Sequence, residues 1–102
     1  MAVRVSWSAE ALDDVDEIAE YIAKDSLFYA KAVVEKIRAI SRSLADFPER
    51  GRIVPEWSMS DVRERFVYSY RLIYRLSNNE VEILAVIHGR RQLDDMEDRV
   101  NE

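Results

Sequence analysis

Eight arginines lie between Arg50 and Arg91, and no lysine stands among them. A planar guanidinium with five donors suits two-point contact with a carboxylate or a phosphate, so the choice of cation points to the anion it meets. The densest polar run, His88-Gly89-Arg90-Arg91, closes an apolar stretch and holds the chain's single histidine. Two kinds of chemistry are open to such a set. In one, arginines neutralise charge developing on a scissile phosphate while His88 or Glu64 moves protons. In the other, the arginines pair with acids of a protein partner. The plainer alternative for Arg63, Arg65, Arg71 and Arg75 is cross-strand pairing with Glu64, Glu80 and Glu82, and for His88 a strand-end hydrogen bond to backbone.

Composition closes several other routes. The chain has 102 residues and no cysteine, which excludes disulfides, zinc-thiolate and iron–sulfur sites and thiol catalysis. A single histidine excludes a site built on several imidazoles, no acidic cluster falls among the expected strands, and no glycine-rich phosphate loop or serine nucleophile elbow is present. No metal or cofactor is implied. Nothing approaches the roughly 20 apolar residues of a membrane span, and the start lacks the parts of a signal peptide, so a soluble, cytoplasmic protein without membrane contact is expected. The net charge of -5 disfavours nucleic acid on average, yet it is unevenly spread. Residues 1–49 balance at -4, residues 50–91 at +3 and residues 92–102 at -4.

The elements that must position these side chains follow from periodicity. Val3, Val5 and Trp7 alternate with Arg4 and Ser6, which predicts a short strand. Ser8 then caps a helix over 9–24 with Leu12, Val15, Ile18, Ala19 and Ile22 on one face. Ser26 caps a second helix whose stripe runs from Ala30 through Val33, Val34, Ile37, Ile40 and Leu44 to Phe47, ahead of Pro48. So short a break makes the pair an antiparallel hairpin. Residues 48–61 hold both prolines and form a long loop whose large aromatic, Trp57, the pattern does not place.

Three strands of an antiparallel meander follow, Val62 to Val67, Tyr70 to Leu76 and Val81 to His88. Alternation turns Tyr70, Leu72, Tyr74 and Leu76 toward the helices and leaves Arg71, Ile73 and Arg75 on the other face. In the last strand it turns Val81, Ile83, Ala85 and Ile87 inward and puts Leu84, Val86 and His88 beside those arginines. That half-apolar face, with Ile73, Leu84 and Val86 on it, is expected to stand open for a partner. Leu93, Met96 and Val100 predict a short terminal helix docking on one side. The expected class is α+β, one domain over residues 1–102.

Several runs in order carry a resemblance. They are Ala11-Leu12-Asp13-Asp14-Val15 with Ile18 and Tyr21-Ile22-Ala23, Phe47-Pro48-Glu49-Arg50-Gly51-Arg52 with Val54-Pro55-Glu56, and Val62-Arg63-Glu64. They continue with Tyr70-Arg71-Leu72-Ile73-Tyr74-Arg75, Val81-Glu82-Ile83-Leu84 and Val86-Ile87-His88-Gly89-Arg90-Arg91. From Val5 to about Leu93 the chain resembles the RelE/ParE superfamily of bacterial toxins from type II toxin–antitoxin modules. The resemblance implies a growth-arresting toxin held silent by a cognate antitoxin in a hetero-oligomer, the antitoxin's C-terminal segment lying in a groove between the helix hairpin and the sheet. RelE-like members cut messenger RNA on the ribosome. Arg71 and Arg91 fall on that branch's arginine positions, with His88 as the acid–base candidate, and Arg63 and Arg65 stand where it carries lysines. No tyrosine follows Tyr74, no lysine follows Lys36 and the tail is acidic, which departs from the ribonuclease pattern. ParE-like members poison DNA gyrase and need no nuclease constellation. The expectation leans to that branch, with Arg63, Arg65, Arg75, Arg90, Ile73, Leu84 and Val86 as binding residues. A metal-independent ribonuclease is the first alternative and an inactive binding domain the second.

Overall fold

Two serines set the helical half of the molecule. In a computed structural model that describes residues 2–100, the Ser8 Oγ accepts from the Ala11 amide at 3.1 Å and opens α1, Ala9–Ala23. The Ser26 Oγ accepts from the Tyr29 amide at 3.1 Å and opens α2, Leu27–Ser43. α2 stops short of the expected Phe47. The Ser41 and Ser43 hydroxyls donate to the Arg38 and Ile40 carbonyls, and the amides of Leu44, Ala45 and Asp46 turn to carbonyls three residues back, which unwinds the last turn before Pro48.

The hairpin lies on one face of a five-stranded sheet in the order β1-β5-β4-β3-β2. β1, Arg4–Trp7, runs parallel to β5, Glu80–His88, while β3, Val62–Val67, and β4, Tyr70–Ser77, continue antiparallel. A two-residue β2, Arg52–Ile53, adds an outer edge that alternation was too short to reveal. Asn78 and Asn79 both take positive φ, as a tight hairpin between β4 and β5 requires.

Under the helices, Leu72, Tyr74, Val81, Ile83 and Val86 meet Ala11, Ile18, Ile37 and Leu44. Ile18 of α1 is buried with Val15 and Ile22 packed beside it, as expected, whereas Leu12 is exposed and Ala11 and Asp14 are buried in its place. The opposite face of the sheet is not open. The 3-10 turn Asp94–Met96 and α3, Glu97–Val100, lay Leu93, Met96 and Val100 over Ile73, Leu84, Ala85 and Ile87, and the long loop closes the margin with Val54, Trp57 and Met59. The terminal turn that was expected to dock on one side therefore covers the surface that was expected to await a partner. Among the described residues no helix is long and apolar enough to cross a membrane.

One irregularity corrects the expected facing of β5. Ile73 stands opposite Ala85 but Tyr74 opposite Ile83, so Leu84 is an extra residue, a β-bulge. Beyond it the alternation inverts. Val86 joins the helix-side core, while Ala85 and Ile87 turn to the second core. β1 ends at Trp7, leaving this part of β5 paired with β4 but without a strand neighbour on its other side. The buried Asp14 carboxylate of α1 accepts from the Val86 amide at 3.0 Å and pairs with Arg99 at 2.7 Å, and Arg99 also donates to the Leu84 carbonyl at 3.2 Å. The hydrogen bond to Asp14 holds the Arg99 guanidinium above its ordinary pKa.

Candidate functional site

The arginines are divided by the sheet rather than gathered on one face. Register pairs Arg63 with Tyr74 and Arg65 with Leu72, whose side chains belong to the helix-side core, so Arg63 and Arg65 stand on the opposite face from Arg71 and Arg75. Arg63 donates to the Gly51 carbonyl at 2.9 Å. Arg75 lies 3.3 Å from the Asp61 carboxylate and bonds the Val100 carbonyl, tying the terminal turn down. Ile73, Leu84 and Val86, expected as uncovered contact residues, are 0%, 4% and 1% exposed. That expectation is corrected for all three, because the chain's own terminal turn and α1 already occupy their surfaces.

Arg71 is held from every side. Its Nε and Nη2 donate to the Gly89 carbonyl at 3.2 and 3.1 Å. Nη1 and Nη2 take the two carboxylate oxygens of Glu56 at 3.0 and 2.7 Å, and Nη1 also reaches Glu64 at 3.2 Å. All five donors are accounted for. Glu64 is itself buried and accepts from the Arg52 Nε at 2.6 Å. The Arg71 hydrogen bond holds the Glu56 carboxyl below its ordinary pKa, and the same bond raises that of Arg71. Two arginines and two carboxylates thus knot the long loop, β2, β3, β4 and the end of β5 together. The cross-strand partner Glu64 was foreseen. Glu56 was not, because a contact between a loop and a strand 15 residues away leaves no periodic trace.

His88 is not part of this knot. The bulge carries it to the helix side, where its ring meets Tyr70 edge-on at 5.8 Å between centroids. Its Nδ1 accepts from the Arg90 amide at 3.2 Å, the backbone bond expected of a strand-end histidine. With Tyr21, Glu17 and Ile18 of α1 and with Arg91, it lines a cleft of about 330 Å³. The sequence placed His88 close to Arg71 and Arg75; the structure puts a sheet between them. Arg91 borders both sides, since it also lines a cleft of about 260 Å³ with Glu56, Trp57 and Arg71. Arg90 is exposed, and Arg91 pairs with Asp95 at 2.8 Å. Tyr21, 70% exposed on α1, lines the histidine cleft.

Comparison with known proteins agrees with the fold. The chain is 36% identical over 91 residues to a candidate toxin, Y4kP, of Sinorhizobium fredii, covering 87% of this chain and 91% of that one. Toxin RelE2 of Caulobacter vibrioides is 30% identical over 89 residues, covering 86% and 97%. Among solved structures, a chain of the chromosomal ParDE toxin–antitoxin system of P. aeruginosa superposes with a TM-score of 0.70 at 20% identity, covering 85% of this chain and 96% of that one. A mutant of E. coli toxin RelE in its free state gives 0.67 at 17% identity, covering 97% and 94%. A family model described as the ParE toxin of the type II toxin–antitoxin system parDE matches residues 5–93, nearly the whole span from β1 to the start of the terminal turn, and the chain belongs to that family.

Proposed function

We propose that this chain is the growth-arresting member of a type II pair, held silent in the cytoplasm by a cognate antitoxin, and that it acts non-hydrolytically on DNA gyrase. The observation that carries the reading is the saturation of Arg71. An arginine that stabilises a phosphorane-like transition state needs donors aimed at the position of the developing charge. Here the five donors are spent on Glu56, Glu64 and the Gly89 carbonyl, and the only imidazole lies across the sheet. The net charge of -5 adds that nothing steers the chain toward a phosphate-rich ribosome over long range. In this reading the exposed Arg90 and Arg91 contact a protein partner, Arg63, Arg65 and Arg75 act mainly in packing, and Ile73, Leu84 and Val86 support the surface from within.

A ribosome-dependent ribonuclease is the second reading, favoured by the convergence of His88, Tyr70 and Arg91 on one cleft. Two assays together separate them. Added to purified gyrase with relaxed plasmid, the chain is expected to block supercoiling or to trap cleaved DNA, and the antitoxin is expected to reverse this. Added to a translating extract, it is expected to leave messages whole. Unimpaired supercoiling together with cuts inside ribosome-bound codons would replace the first reading with the second.

A further inference from the structure

The two tight turns of the meander are built from unlike residues. Each is a two-residue loop, Asn78-Asn79 between Ser77 and Glu80 and Tyr68-Ser69 between Val67 and Tyr70. Both demand a positive φ, 46° and 65° at the two asparagines and 54° at Tyr68. Asparagine enters that region readily, whereas a bulky side chain there crowds its own backbone. Packing does not offset the strain, because Tyr68 is 65% exposed. One turn of the chain thus uses asparagine where the backbone needs it, and the other keeps a solvent-facing ring in a conformation that asparagine would take more easily. Strain held at an exposed position with no packing reason points to a use outside the chain.

The surroundings of the turn decide what meets it. Phe66, on the strand leading into it, is 51% exposed, and the Gly89 amide donates to the Ser69 carbonyl at 2.7 Å, which carries Arg90 alongside. Arg90 is exposed and pairs with no acid among the described residues. The Arg52 guanidinium lies over the Phe66 ring at 5.3 Å from its centroid, and a Cβ on Gly89 would stand 3.6 Å from the same ring. Phe66 is therefore already partnered on a face that a stacked nucleobase would use. Tyrosine and arginine side by side are instead what carries energy at protein interfaces. What fits them is a protein surface with an apolar hollow for the ring and a carboxylate for the guanidinium.

We infer that Tyr68 is a docking residue for the target: the β3–β4 turn, with Phe66 and Arg90 beside it, inserts the Tyr68 ring into an apolar hollow rimmed by carboxylates on a partner protein. The inference rests on the protein-directed reading above and locates the contact on this chain.

Tyr68→Asn tests it, because it removes the ring and relieves the turn in one step. Binding of the full chain to purified gyrase is expected to weaken at least about tenfold, while the melting temperature holds or rises. Tyr68→Phe keeps the ring and is expected to bind as the wild type does. Unchanged gyrase binding by Tyr68→Asn overturns the inference. So does a lowered melting temperature, which would show that the ring packs within its own chain. If the wild type itself leaves gyrase unbound, the gyrase reading fails alone, and the same variant is judged by growth arrest on induction. Tyr68→Asn, produced at wild-type level and still captured by the antitoxin, is then expected to let cells grow, and undiminished arrest overturns the inference. Arrest lost together with cutting of ribosome-bound messages overturns it too, by assigning the ring to RNA.

Discussion

Tyr74 shows how one polar group can tie a loop to a core. Its hydroxyl donates to the Pro48 carbonyl at 2.6 Å and accepts from the Gly51 amide at 3.0 Å, with the ring fully buried. Gly51 has no alternative residue, since a Cβ there would meet the same hydroxyl at 2.6 Å and the Glu64 carbonyl at 2.7 Å. Tyr74→Phe strands both backbone groups and is expected to cost about 1–3 kcal/mol in urea unfolding. Burial raises the Tyr74 pKa above 10.0, so its contribution is whole below the unfolded value and is lost as pH rises through the folded one. The gap between wild type and Tyr74→Phe should therefore narrow in strong alkali. The Arg71 knot behaves oppositely. With its pKa lowered by the Arg71 hydrogen bond, Glu56 contributes above the unfolded carboxylate value, and its contribution fades as pH falls through the depressed one. Because its side chain is 41% exposed, Glu56→Gln is expected to cost less than about 1 kcal/mol. Glu64→Ala removes the buried partner of two arginines and is expected to cost about 3–5 kcal/mol by the same measurement.

Among the elements, those with long periods were legible and those with broken periods were not. Both helix starts, the hairpin, the three meander strands and the terminal turn follow from spacing and from capping serines. The bulge at Leu84 does not, because Ile83-Leu84-Ala85-Val86-Ile87 is apolar throughout and offers no polar residue to mark where the alternation slips. That one extra residue moved Val86 and His88 to the helix side of the sheet, away from Arg71 and Arg75. The expected open arginine face is absent for a second reason: the seven-residue terminal turn, expected to dock on one side, lies over that very face. Just past the bulge, Asp14 accepts from the Val86 amide and pairs with Arg99. Asp14→Ala is expected to cost about 3 kcal/mol and to speed hydrogen exchange selectively at Val86 and through Glu97–Val100. Uniform exchange across the sheet would mean that Asp14 has no local role.

The molecule as a whole is a sheet with two cores, one under the helices and one under its own C-terminal turn. Since β4 and β5 contribute side chains to both, the two cores should melt together. Trp7 borders the first and Trp57 the second, so single-tryptophan variants report them separately. Coincident midpoints by either fluorescence and by circular dichroism are expected, and two resolved transitions would show the terminal turn to be an independent unit. In the reading proposed above, the chain meets its target as a protein surface at the exposed Arg90-Arg91 corner and leaves RNA uncut. Mapping transcript ends across the cell within minutes of inducing the chain without its antitoxin tests this most directly. The account predicts intact messages accompanied by double-strand DNA breaks. Cuts clustered within translated codons, abolished by Arg91→Ala or His88→Ala in a chain that still folds, would contradict it.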